Sequence, residues 1–130
     1  MRPEGPTQWL RGDRDATDVK RLMRDGTYAI SIDADGHLAD GELVLDGLRA
    51  EGGSVHCAVK GQISRTGAHT VGALTMEWAP GALRNTRIAR VFAVSMTGVG
   101  TDTDFRLWGL GPLGLIVEVT GTHVRPERQR

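Results

Sequence analysis

From Gly26 onward, apolar residues recur at every second position. Tyr28, Ile30 and Ile32 share one parity, against Thr27, Ala29, Ser31 and Asp33 on the other. A period of two is the mark of a strand with one buried face. Asp35-Gly36 ends that run, because both residues tolerate positive φ and so suit a hairpin turn. Leu43 and Leu45 carry the next run to Asp46-Gly47, and a short piece around Leu48 leads to Gly52-Gly53. Val55, Cys57, Val59 and Ile63 then alternate with His56, Ala58, Lys60 and Gln62 as far as the Thr66-Gly67 turn. Leu74, Met76 and Trp78 face away from Val71, Ala73, Thr75 and Glu77. Ala79 to Arg87, with Pro80-Gly81, reads as a loop. The alternation resumes at Phe92, Val94 and Met96, then at Phe105 and Leu107, and finally at Leu115, Val117 and Val119.

The pattern predicts about seven strands and one short one, with no helical period between Gly26 and Gly121. That excludes a parallel α/β sheet and implies an antiparallel meander, closed as a barrel or folded as a sandwich. Glycine is abundant, at 18 residues, and Gly61, Gly98, Gly109 and Gly121 lie on the inward parity of their strands. There they either let a strand bend at a barrel corner or simply end it. Residues 1–22 lack this periodicity. Asp15 to Met23 could form one or two helical turns, with Asp15 as N-cap and Val19, Leu22 and Met23 on one face, or the segment is a frayed or docked tail. The chain thus divides into an extension (1–22), a β-domain (23–123) and a charged tail (124–130).

With 130 residues, 39% hydrophobic, the chain is long enough for one domain with a real core. Sixteen basic residues balance sixteen acidic ones, which argues against direct nucleic-acid or membrane-surface binding. Cys57, the one cysteine, has no disulfide partner, and no Cys/His cluster suits zinc. The start lacks a signal-peptide pattern, and the apolar run Leu110–Val117 is interrupted by Gly111, Pro112 and Gly114. A soluble cytoplasmic protein is expected.

Several motifs fail on context. Gly109-Leu110-Gly111-Pro112-Leu113-Gly114 matches a dinucleotide fingerprint, but a strand follows where a helix N-terminus must hold the pyrophosphate. Asp33 to Glu42 resembles a calcium loop with its glycine misplaced, and Thr101 to Asp104 reads as a polar turn. His56 and Cys57 look like base and nucleophile, yet neighbours on a strand point to opposite faces. His37, His69 and His123 show no paired spacing. No catalytic residue, metal or cofactor is expected, although a site assembled from distant strands would leave no local signature.

Met23-Arg24-Asp25-Gly26-Thr27-Tyr28-Ala29-Ile30 resembles the opening of the GrlR-like family, small bacterial proteins named for a negative regulator of type III secretion genes. The likeness runs on through Gly41-Glu42-Leu43-Val44-Leu45-Asp46-Gly47, Gly52-Gly53, Val59-Lys60-Gly61, Val94-Ser95-Met96-Thr97-Gly98 and Phe105-Arg106-Leu107-Trp108-Gly109, from Met23 to Thr122. The resemblance implies a lipocalin-like barrel, often dimeric, that regulates by binding a transcriptional activator. The alternating Glu and Asp run implicated in that function has no counterpart here.

The expected architecture is an all-β, up-and-down antiparallel meander of seven or eight strands, closed as a small barrel. Its inward set, and candidate ligand cavity, is Tyr28, Ile30, Leu43, Val59, Leu74, Met76, Trp78, Phe92, Met96, Phe105, Leu107 and Val117. Trp108, Ile116 and Val71 are apolar on the outward parity and form a candidate interface, most simply that of a homodimer. Two functions follow: a non-enzymatic regulatory module that binds a transcriptional regulator, or a carrier or sensor of a small apolar ligand held inside the barrel.

Overall fold

The computed structural model describes residues 23–83 and 86–126. The extension 1–22, the helical turns expected before Met23, and residues 127–130 of the charged tail lie outside the described residues. Eight strands follow one another: β1 (Gly26–Ala34), β2 (His37–Asp46), β3 (Arg49–Gly53), β4 (Cys57–Thr66), β5 (His69–Trp78), β6 (Val91–Gly100), β7 (Asp104–Leu110) and β8 (Ile116–Pro126). Each pairs antiparallel with its neighbours in sequence, and β1 also pairs with β8, closing the barrel. The fold is all-β, and its one helical element among the described residues is a single 3-10 turn, Pro112–Gly114.

The hairpins form where the turn chemistry lies. Asp35 and Gly36 have φ of 56° and 94°, the doubly positive pair that matches the twist of flanking strands. Asp33 Oδ1 accepts the Gly36 N–H at 2.8 Å, which locks this turn. Gly98 marks a different need: a Cβ there would collide with the Arg106 carbonyl oxygen, so β6 and β7 approach each other only over a bare backbone.

The interior is one continuous cluster drawn from every strand. Beyond the alternating positions, it recruits Leu83 and Ile88 from the β5–β6 connection and Met23 from the segment before β1. Val55 departs from its parity: it lies in the β3–β4 connection and is 89% exposed. β8 continues to Pro126, opposite Gly26, past Val124 where a tail was expected.

Alternate connections of a meander share an end. The β2–β3, β4–β5 and β6–β7 turns therefore ring one end of the barrel, together with Met23 to Asp25. The Arg24 N–H donates to Asp102 O at 2.9 Å, and Asp25 Oδ1 accepts the Gly47 N–H at 2.9 Å, so this short segment closes that end.

Candidate functional site

Two regions were expected to carry function: the interior and the outer apolar positions. Every residue of the inward set is buried, and all belong to the single core cluster. Tyr28, Leu43, Met76, Leu107 and Val117 are fully enclosed. An eight-stranded barrel is just wide enough for such side chains to fill it. Fully burying one of these aliphatic or aromatic groups stabilises the fold by roughly 1.5–3 kcal/mol.

Few polar atoms enter this interior. The Tyr28 hydroxyl donates to Arg24 O at 2.6 Å, with Asp102 O 3.1 Å away, and its ring packs on Phe105 and edge-on to His123. Burial, aided by the nearby Asp102 carboxylate, raises its pKa to about 12. Burial likewise pushes the Cys57 thiol up to about 12. Cys57 is buried and the adjacent His56 exposed, so the two do not form a nucleophile–base pair. Thr70 Oγ1 and Trp78 Nε1 are enclosed without a hydrogen-bond partner.

Outside, the structure brings two of the three outward candidates together. Trp108 pairs with Glu118, and Leu110 with Ile116, so Trp108 and Ile116 are diagonal neighbours on the β7–β8 hairpin. Val71 lies in the same row as Trp108, separated from it by Thr97. Trp108 is 40% exposed and Ile116 57%. Leu110 and Leu113, both 68% exposed, add apolar surface at the end of β7 and in the turn that follows, beyond the outward positions that parity singled out. Leu110 shares the parity of Trp108 and could have been found; Leu113 sits in the turn, where parity has no meaning.

A charged pair borders the patch. Arg106 Nε donates to Glu118 Oε2 at 2.6 Å, and the guanidinium carbon lies 5.4 Å from the centre of the Trp108 ring. The cation is thus shared between a carboxylate and an aromatic face. Beside it, a groove of about 440 Å³ runs over β6, β7 and β8, walled by Val99, Arg106, Thr120 and Thr122.

The rejected motifs resolve as turns. The glycine-rich run spans the end of β7, the 3-10 turn and the approach to β8. In the β6–β7 turn, Thr101 Oγ1 accepts the N–H groups of Thr103 and Asp104. Among the described residues, no three His, Cys, Asp or Glu side chains are grouped to hold a metal ion, and no helix is long and apolar enough to cross a membrane.

The fold and these surfaces define a small up-and-down β-barrel with an apolar inward face and an apolar patch on one hairpin. No protein-family model matches the chain, and no curated protein is significantly similar to it.

Proposed function

We propose that this protein is a non-enzymatic regulatory binding protein that works through its outer face as a homodimer. The observation that carries the reading is the exposed set of Trp108, Leu110, Leu113 and Ile116 on one hairpin and its turn, on a barrel whose inward side chains form one continuous cluster. A contiguous apolar patch on a small soluble domain marks an interaction site. The patch suits a two-fold contact. Arg106 and Glu118 pair with each other at its edge, so a second copy packed there would meet a neutralised pair rather than a lone charge. Zero formal net charge adds no repulsion.

The GrlR-like resemblance supports a transcriptional regulator as the further partner. The contact of the inward side chains with one another in a single cluster favours this over a carrier that holds a small apolar ligand inside the barrel.

Sedimentation equilibrium at micromolar concentration tests the assembly. Twice the 14.0 kDa chain mass is expected for the wild type, and folded monomer for Trp108→Glu. A wild-type monomer overturns the dimer. Native mass spectrometry of the freshly purified protein tests the class: a dimer free of adducts supports it, and a stoichiometric apolar adduct overturns it in favour of the carrier.

A further inference from the structure

The apolar residues of the β7–β8 hairpin are too few to make a dimer interface on their own. A stable interface takes about 800 Å² from each partner, and a handful of side chains at the end of one hairpin offers only part of that. The contact therefore has to spread over neighbouring strands, and the outer surface leaves one direction open. Towards β1 it meets two carboxylates, Glu118 and Asp33, which are directly opposite each other. Towards β6 it meets no charge. Val91, Ala93, Ser95, Thr97 and Val99 are the outward residues of that strand, and all are exposed. Indeed β6 is the one strand of the eight without an ionisable residue. The far side of the barrel is the reverse, with Asp40, Asp46, Arg49, Glu51 and Lys60 exposed on β2, β3 and β4. Depletion of charge is what marks the centre of an interface.

Size is distributed to match. One outward row runs Val71, Thr97, Trp108 across β5, β6 and β7, and the next begins Ala73, Ser95. Leu110 stands two residues on from Trp108, level with that second row. Two barrels that touch by their outer walls are convex, so they meet along one strand and diverge on either side of it. Small side chains belong on the line of contact, and large ones on the flank where the gap opens. Here β6 supplies Ala93, Ser95 and Thr97, while β7 supplies Trp108 and Leu110. With β6 along a two-fold axis, β7 of each copy lies over β5 of the other. Trp108 then covers Val71 and Leu110 covers Ala73, large against small on both sides of the axis.

We propose that a second copy of this chain packs against the outer face of β5, β6 and β7, with β6 along the two-fold axis and Trp108 of each protomer over Val71 of the other. This rests on the homodimer proposed above and fixes where its contact lies. Outward positions about 4.8 Å apart across strands and about 6.7 Å apart along them give the three strands a flat footprint of roughly 400 Å². The relief of side chains such as Trp108, Leu110 and the exposed valines carries the accessible area towards the about 800 Å² that each partner of a standard interface supplies.

The test reads dimer and contact separately, on the full chain. Sedimentation equilibrium gives the dissociation constant, and circular dichroism shows whether each variant is folded. Ser95→Arg, at an exposed position on β6, sets like charges against each other at the axis and should raise the constant about a hundredfold. Glu51→Arg, on the far side, should leave it unchanged. Val71→Trp should raise it too, because two indoles then compete for one space. Combining Val71→Trp with Trp108→Val should bring it back, since the exchange keeps large against small. Ser95→Cys should be joined to its own copy by bis-maleimidoethane and Glu51→Cys should not, with the wild type, whose Cys57 is buried, as background. A dimer that keeps its affinity in Ser95→Arg, or that crosslinks through Glu51→Cys instead of Ser95→Cys, overturns this contact and leaves the homodimer standing. An exchange that restores nothing overturns the pairing of Trp108 with Val71. A monomeric wild type overturns the contact and the homodimer together.

Discussion

The Tyr28 hydroxyl donates to Arg24 O at 2.6 Å, tying the first strand to the segment that closes the barrel end beneath it. The same hydroxyl lies 3.1 Å from Asp102 O, which already accepts the Arg24 N–H, so three backbone segments meet at one side chain. Tyr28→Phe keeps the ring packing and removes the bond, leaving a carbonyl short of a donor. Urea denaturation should show a loss of about 1–2 kcal/mol. The Arg24 amide should exchange faster, while amides in β4 and β5 change little. An unchanged midpoint would mean that water replaces the hydroxyl freely.

Alkaline pH should unfold the protein through two buried acids. The Cys57 thiol and the Tyr28 phenol, ordinarily at 9.0 and 10.0, are both raised to about 12 by burial. The unfolded chain therefore releases these protons first. The stability is fully present below about pH 9 and is lost progressively as pH rises towards about 12. Guanidinium titrations at stepped pH should show the midpoint falling over that window. Cys57→Ala combined with Tyr28→Phe should flatten the fall, and an equally steep fall in the double variant would assign it to other groups.

Cys57 should also be chemically silent while the protein is folded. A thiol this buried, with so little thiolate at neutral pH, reacts only through opening of the chain. Ellman's reagent should therefore label it at the opening rate in native buffer and at once in denaturant. Rapid native labelling would place the thiol at the surface.

The tryptophans at 78 and 108 should respond oppositely. Trp78→Ala empties a fully enclosed site and should cost about 3–5 kcal/mol. Trp108→Ala, at a site 40% exposed, should cost the protomer under about 1 kcal/mol when measured at concentrations too low for dimers. Equal losses would contradict the register.

Gly121 and Phe105 should be energetically coupled. They are directly opposite on β7 and β8, and a Cβ at Gly121 would run into the Phe105 ring. Gly121→Ala should cost about 1–3 kcal/mol through overpacking. In the Phe105→Leu background the added methyl has room, so the cost should shrink by more than half. A double-mutant cycle reads that coupling, and additive losses would refute it.

The alternation of apolar residues by itself determined the strands, their antiparallel order and the inward face from Tyr28 to Val117. These are local properties: successive side chains on a pleated strand must point to opposite sides, and the Asp-Gly pairs at 35–36 and 46–47 turn the chain where the alternation stops, whereas Asp40-Gly41 runs on within β2. Trp78 inside and Trp108 outside follow from parity alone. Other features were decided only by the tertiary structure. Barrel and sandwich differ in whether β1 meets β8, a pairing between the two ends of the meander that no local pattern encodes. Parity also fails where strands stop, because a connection has no pleat to alternate. Hence Val55 lies exposed despite its place in the series, while Leu83 and Ile88 are buried from within a loop. The candidate sites divide in the same way. Trp108 and Ile116 were legible as apolar residues on a polar parity. The surface depression walled by His37, Leu38, His56, Trp78 and Ala82 was not, since these residues come from β2, β5 and the connections before β4 and β6, which meet only in the folded sheet.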